Sequence, residues 1–136
     1  MNGKAVELIL LRQLLSRLPL PATLVDAEGD VVYINGATER LMGLDYEALG
    51  ERPLVSWEFL DPRHPDGSPM AIREMPLATA LLERRPQQYR MIVHGIDGVP
   101  HRIVTTAIPL DGQGGTLLGA MSFFWEENEN QEPVLP

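Results

Sequence analysis

Three histidines, a handful of acids and serines and one glycine-rich run are the residues whose types can do chemistry. His64 lies between Asp61 and Asp66, and imidazole beside carboxylate is the raw material of acid–base or metal chemistry. Those residues share a stretch with Pro62, Pro65 and Pro69, where aspartates ordinarily form solvated turns. His94 and His101 flank one expected hairpin, so a two-histidine metal pair across strands stays open, but no carboxylate motif accompanies it. Ser16, Ser56, Ser68 and Ser122 have no Gly-x-Ser-x-Gly context. Gly112-Gln113-Gly114-Gly115 lacks the lysine and following helix of a phosphate-binding loop. Cysteine is absent, which excludes disulfides, thiolate metal sites and cysteine nucleophiles. The expectation is a non-enzyme, with no catalytic residue and no metal site.

Composition bounds the rest. A chain of 136 residues is one domain by length and long enough to bury a sizeable core. Its net charge of −8 argues against nucleic-acid binding, which needs a basic surface. No signal peptide is visible, and no apolar run approaches the roughly 20 residues that cross a bilayer. A cytoplasmic protein without membrane contact is expected.

The elements that would position these residues follow from periodicity. Lys4 to Leu18 is the strongest helical pattern, with Leu8, Leu11, Leu15 and Leu18 on one face and Ile9, Leu10 and Leu14 widening it. So wide a surface must bury two faces, one on its own domain and the other on a second copy of the chain. Pro19 and Pro21 end it. Thr23–Val25 and Val31–Ile34 are β-prone runs around the turn Asp26–Asp30, followed by a short helix that Gly43 closes. Leu44 to Gly50 forms one more short helix, with Asp45 as its N-cap and Gly50 as its stop. Arg52 to Met70 is irregular and rich in proline, yet carries Trp57, Phe59 and Leu60, so it reads as a loop wrapped over the core. Pro76 to Arg85 is the second clear helix. Three strands finish the fold: Gln87–Gly95, a turn at Asp97-Gly98, His101–Ile108 ending at Pro109, and Thr116 to about Trp125. In the last strand Leu117, Met121, Phe123 and Trp125 share one side, and Leu118, Ala120 and Phe124 the other. The fold class is α+β: a five-stranded antiparallel sheet, helices on one face, and the N-terminal amphipathic helix as cover for the other. The expected organisation is a helix over 1–18, a domain over 19–126 and an acidic flexible tail over 127–136.

In order and spacing these segments resemble a PAS domain. The segments that carry the likeness are LPLPATLVDAEGDVVYINGATERLMG (18–43), DGSPMAIREMPLATALLERRP (66–86), IDGVPHRIVTTAIPL (96–110) and GGTLLGAMSFFWE (114–126). The strand ends in Trp125-Glu126-Glu127 where the family commonly ends in Asp-Ile-Thr. The resemblance implies a sensory module, either stand-alone or excised from a larger sensor, that relays a change to a partner such as a histidine kinase. It assigns Asn35 the cap that ties the short helix to the sheet. The wide apolar face of the N-terminal helix adds the expectation of a homodimer through that helix, with Leu8, Leu11, Leu15 and Leu18 at the interface.

Ligand chemistry is the remaining choice. A cysteine-type flavin photosensor is excluded, because the chain has no cysteine. A haem-binding sensor is the second alternative, without support from the helix 76–85, which carries no histidine to serve as axial ligand. An apolar ligand suits the composition, with Met42, Trp57, Leu60, Met75, Leu77, Leu81, Met91 and Phe123 as pocket candidates. The alternative is a filled core and a ligand-free scaffold for dimerisation or docking.

Overall fold

A computed structural model describes residues 6–50 and 52–127. The expected helix start at Lys4 and nearly all of the expected tail lie outside the described residues. The strands form one antiparallel sheet. The helix α1 (Val6–Leu15) precedes β1 (Ala22–Asp26) and β2 (Asp30–Ile34), and α2 (Gly36–Met42) and α3 (Tyr46–Leu49) follow. Next come β3 (Arg52–Pro53), 3-10 turns at Leu54–Leu60 and Ile72–Glu74, and α4 (Pro76–Glu83). Strands β4 (Gln87–His94), β5 (Pro100–Asp111) and β6 (Leu117–Glu126) complete it, in the spatial order β3-β2-β1-β6-β5-β4.

The sheet has six strands rather than five. The additional one is Arg52–Pro53, which pairs with Asp30 and Val31 at the edge. Two residues are too few to show an alternation, and proline is tolerated on an edge because it need not donate to the ladder. Strand β5 also runs past the expected stop at Pro109, which pairs with Ala120. Beyond Ala107 that strand has no β4 partner, so Pro109 occupies an edge position on its other side.

The first hairpin is built by one side chain. Asp26 is buried, and its Oδ1 accepts the backbone N–H groups of Glu28 and Asp30, both at 3.0 Å. Gly29 supplies the positive φ of 88° that closes the turn.

Each face of the sheet is covered. On one, Val25, Val31, Ile103, Ala107, Ala120 and Phe124 pack beneath α2, α4 and the 3-10 turn at Leu54–Leu60. On the other, Leu8 and Leu15 of α1 are buried against Ala22, Leu24 and Val32, with Leu11 and Leu18 half-buried beside them. Burying a leucine contributes about 1.5–3 kcal/mol, so this contact is what holds α1 to the sheet. The four leucines expected at a dimer interface thus lie on the chain's own sheet. The sheet's outer face is itself apolar, and the same helical stripe serves either partner. The apolar residues of α1 left in solvent are Val6, Ile9, Leu10 and Leu14, exposed by 44 to 63%.

Candidate functional site: an apolar cavity against the sheet

Asn35 positions the first wall. Its side chain is fully buried and N-caps α2, its Oδ1 accepting the Thr38 N–H at 3.1 Å. The same oxygen accepts the Ala22 N–H at 3.0 Å. Its Nδ2 donates to the Leu15 carbonyl at 3.0 Å and the Leu20 carbonyl at 2.8 Å. One amide therefore joins the end of α1, the start of β1 and the start of α2. At the far end of α2, Gly43 adopts φ 71°, and the Met42 carbonyl accepts the Ile96 N–H of the β4–β5 turn at 2.9 Å. Thr38 and Met42 are held at fixed depth over the sheet by these two anchors.

The second wall comes from the irregular segment. The rings of Trp57 and Phe59 stack at 5.6 Å, and Trp57 turns inward while Phe59 stays half in solvent. The following loop is laid along β4: Arg63 N–H donates to the Ile92 carbonyl at 2.8 Å, and Ile92 N–H donates back at 2.9 Å. Pro76 opens α4, whose missing donor is harmless in a first helical turn, and Leu77 points into the core.

Between these walls and the sheet is an apolar cavity of about 80 Å³. Met42, Trp57, Leu60, Met75, Leu77 and Met91 line it, six of the eight residues named from the sequence. Leu81 packs on the same core without reaching the cavity. Phe123 lies on the opposite face, against the residues that α1 covers, and Phe124 faces the cavity in its place. From Ala120 to Phe124 the alternation holds as read from the sequence, and a bulge in β6 displaces only Leu118 from it. Leu110 pairs with Gly119 and Asp111 with Leu117, so Leu118 is the extra residue and turns to the α1 side. Gly119 makes this possible, since a Cβ there would stand 2.1 Å from the Val25 carbonyl oxygen.

Sequence reasoning missed the hydroxyls. Thr23, Thr38, Thr105 and Ser122 also line the cavity. The signal for Thr105 was its place on the inner face of β5 between Ile103 and Ala107, where an aliphatic residue is the norm. Thr38 Oγ1 is satisfied, 3.0 Å from the Ala22 carbonyl and 2.9 Å from Asn35 Oδ1. Trp57 Nε1 and Thr105 Oγ1 are buried and have no hydrogen-bond partner.

The histidines stand elsewhere. His64 Nδ1 is 2.8 Å from the Tyr89 hydroxyl, and its Nε2 is 3.2 Å from Glu74. The Ala71 N–H, with His64 beside it, holds the Glu74 carboxyl below the usual carboxylate range. The Ser68 hydroxyl and N–H do the same for Asp66, which is a turn former. His94 contacts the Asp61 carbonyl at 3.1 Å, and His101 contacts Glu126 at 3.1 Å. The register sets His101 opposite Val93 and His94 opposite Pro100, so the two histidines fall on opposite faces and form no pair. Among the described residues no group of three or more acids and histidines is placed to hold a metal. No histidine lines the cavity, so the lining does not fit a histidine-ligated haem.

Comparison with known proteins adds the following. The family model described as the PAS fold matches residues 15–130. No curated protein matches the sequence. Among solved structures, the PAS domain of BvgS from Bordetella pertussis is 20% identical with a TM-score of 0.64, over 91% of this chain and 88% of that one. The PAS domain of the fruit-fly ELK potassium channel is 12% identical with a TM-score of 0.71, over 90% and 98%. The light-state dimer of the fungal blue-light photoreceptor Vivid is 16% identical with a TM-score of 0.64, over 93% and 97%. At such identities the likeness is one of fold.

Proposed function

The chain belongs to the PAS fold family, and on that premise we propose that it is a sensory signal-transduction module binding a small apolar ligand in the cavity. The observation that carries this reading is the cavity itself, set between the sheet and walls anchored at both ends of α2. A core packed to ordinary density leaves few voids larger than a water molecule. The methionines on its wall adapt to guests of irregular shape.

The relay runs through Asn35. A ligand that presses on Thr38 or Met42 shifts α2, and the Asn35 amide passes that shift to the Leu15 carbonyl at the end of α1. The exposed residues Val6, Leu10 and Leu14 then carry it to a second copy, and a signalling protein such as a kinase reads the altered dimer. Among the described residues no helix is long and apolar enough to cross a membrane.

Native mass spectrometry and an absorption spectrum of protein purified from its own host test the reading. The expected result is a retained small mass without visible colour. Protein that carries no mass and takes up no small apolar compound leaves the ligand-free scaffold as the function.

A further inference from the structure

Outside the cavity, one cluster of titratable side chains has no role so far, and its hydrogen bonds have a direction. His64, Tyr89 and Glu74 meet from the loop after Leu60, the strand β4 and the 3-10 turn Ile72–Glu74. The Ala71 N–H donates to Glu74 Oε1 at 2.9 Å and holds that carboxyl below the usual carboxylate range. An ionised carboxylate only accepts, so His64 Nε2, 3.2 Å from Glu74, carries the ring proton. A neutral imidazole then has its lone pair at Nδ1, and the Tyr89 hydroxyl 2.8 Å away donates to it. Donation runs from Tyr89 to His64 to Glu74, the order of nucleophile, base and orienting acid in triads that activate a hydroxyl. Exposure is graded to match. Tyr89 is 39% exposed and open to a reagent, whereas the His64 side chain is 25% exposed. The two rings meet edge to face at 5.8 Å, and the His64 backbone is tied to Ser68 and Gly67 by bonds of 2.8 Å. An imidazolium formed there faces Glu74 and also Asp66 of its own loop, with Arg73 beside Glu74 as the opposing charge.

We propose that Tyr89 is a covalent modification site that takes an acyl group from an uncharged, activated acyl donor, with His64 as the general base and Glu74 orienting it. The Tyr89 oxygen bonds to the carbonyl carbon as its proton passes to His64 Nδ1. The bond from that carbon to the leaving group breaks, and the leaving group departs with the electron pair. The products are a tyrosyl ester and an imidazolium, which returns its proton to water. Glu74 and Asp66 repel anionic donors such as phosphoryl compounds, and a neutral carbonyl meets no such field. The ester oxygen has no hydrogen to donate, so the tie between β4 and the loop loses a bond. Met75 follows Glu74, and Met91 shares the Tyr89 side of β4; both line the cavity, so the mark lies behind two of its walls.

The probe is p-nitrophenyl acetate on the intact chain, read by mass-spectrometric peptide mapping, with Tyr33 and Tyr46 as internal references. Tyr89 should acetylate about a hundredfold faster than either, the low end of what a positioned base contributes. Its rate should rise in a step between about pH 5 and 8, where an imidazole loses its proton, and the references should lack that step. The step is read on the native protein and needs no variant to fold. His64→Gln should remove both the advantage and the step. Glu74→Gln should lower the rate and move the step to lower pH, because the imidazolium loses a counter-charge. Equal labelling of the three tyrosines, absence of the step, or acetyl carried by His64 and not by Tyr89 overturns the proposal. A His64→Gln chain that keeps the Tyr89 rate overturns the assignment of the base, and a Glu74→Gln chain with an unchanged profile overturns the orienting role.

Discussion

The Asn35 amide bonds backbone groups on three elements, and its loss takes the side-chain acceptor from the buried Ala22 and Thr38 N–H groups. Replacing an N-cap costs about 1 kcal/mol, and stranding further buried polar groups adds about 1–3 kcal/mol. Asn35→Ala should therefore lower stability by about 3 kcal/mol. The measurement is urea unfolding at unchanged slope, and a loss under about 1 kcal/mol would show that water replaces the amide. Asn35→Asp keeps the capping oxygen but faces the Leu15 and Leu20 carbonyls with an acceptor, so it should rescue little of that loss. Half of this residue's work was legible. A polar residue before a helical run marks a cap, a local pattern. The bonds from Nδ2 reach residues far back in the chain, and contacts of that separation leave no period to read. Thr105 was missed for the opposite reason: alternation places it inside correctly, but residue type argues for the surface.

At the scale of elements, the helix α1 shows what periodicity does and does not contain. Its leucine stripe was visible in the sequence, but a stripe fits the chain's own sheet as well as a second copy. The structure gives Leu8 and Leu15 to the sheet, and Val6, Leu10 and Leu14 form the outward row. The two faces separate stability from association. Leu10→Glu with Leu14→Glu should reduce the sedimenting species to monomer with a stability change within about 0.5 kcal/mol per site. Leu15→Glu should destabilise the fold by more than about 3 kcal/mol, because a carboxylate would be buried without a partner. A dimer that survives the double outer substitution would move the interface off α1. Arg52 to Met70 reads as irregular in sequence, and within it Leu54–Leu60 forms 3-10 turns, whose spacing near three residues matches neither helix nor strand period. Its buried tryptophan was the useful signal, because so large a ring must find an interior.

The whole molecule is arranged so that its earliest and latest strands meet. Strands β1 and β6 are neighbours in the middle of the sheet, and Thr23 pairs with Ser122 across almost the full domain. The alternation of each strand was readable, but the order was not, because pairing partners so distant share no local signal. The resemblance in motif order supplied what periodicity lacked. One consequence concerns synthesis. The cavity floor takes Thr23 from β1 and Ser122 and Phe124 from β6, so it does not exist while β6 is still inside the ribosome. Sheets closed by such remote pairings fold in milliseconds to seconds, slower than local helical folds. A chain cut after Thr116 should show no cooperative unfolding transition, and the intact chain should refold on that slow scale in stopped-flow fluorescence. Refolding in microseconds would mean that β1 and β6 do not have to find each other. On the proposed reading, with the cavity floor closed by β6, the ability to hold a ligand is the last property a newborn chain acquires, and a chain released early is mute rather than stuck in one signalling state.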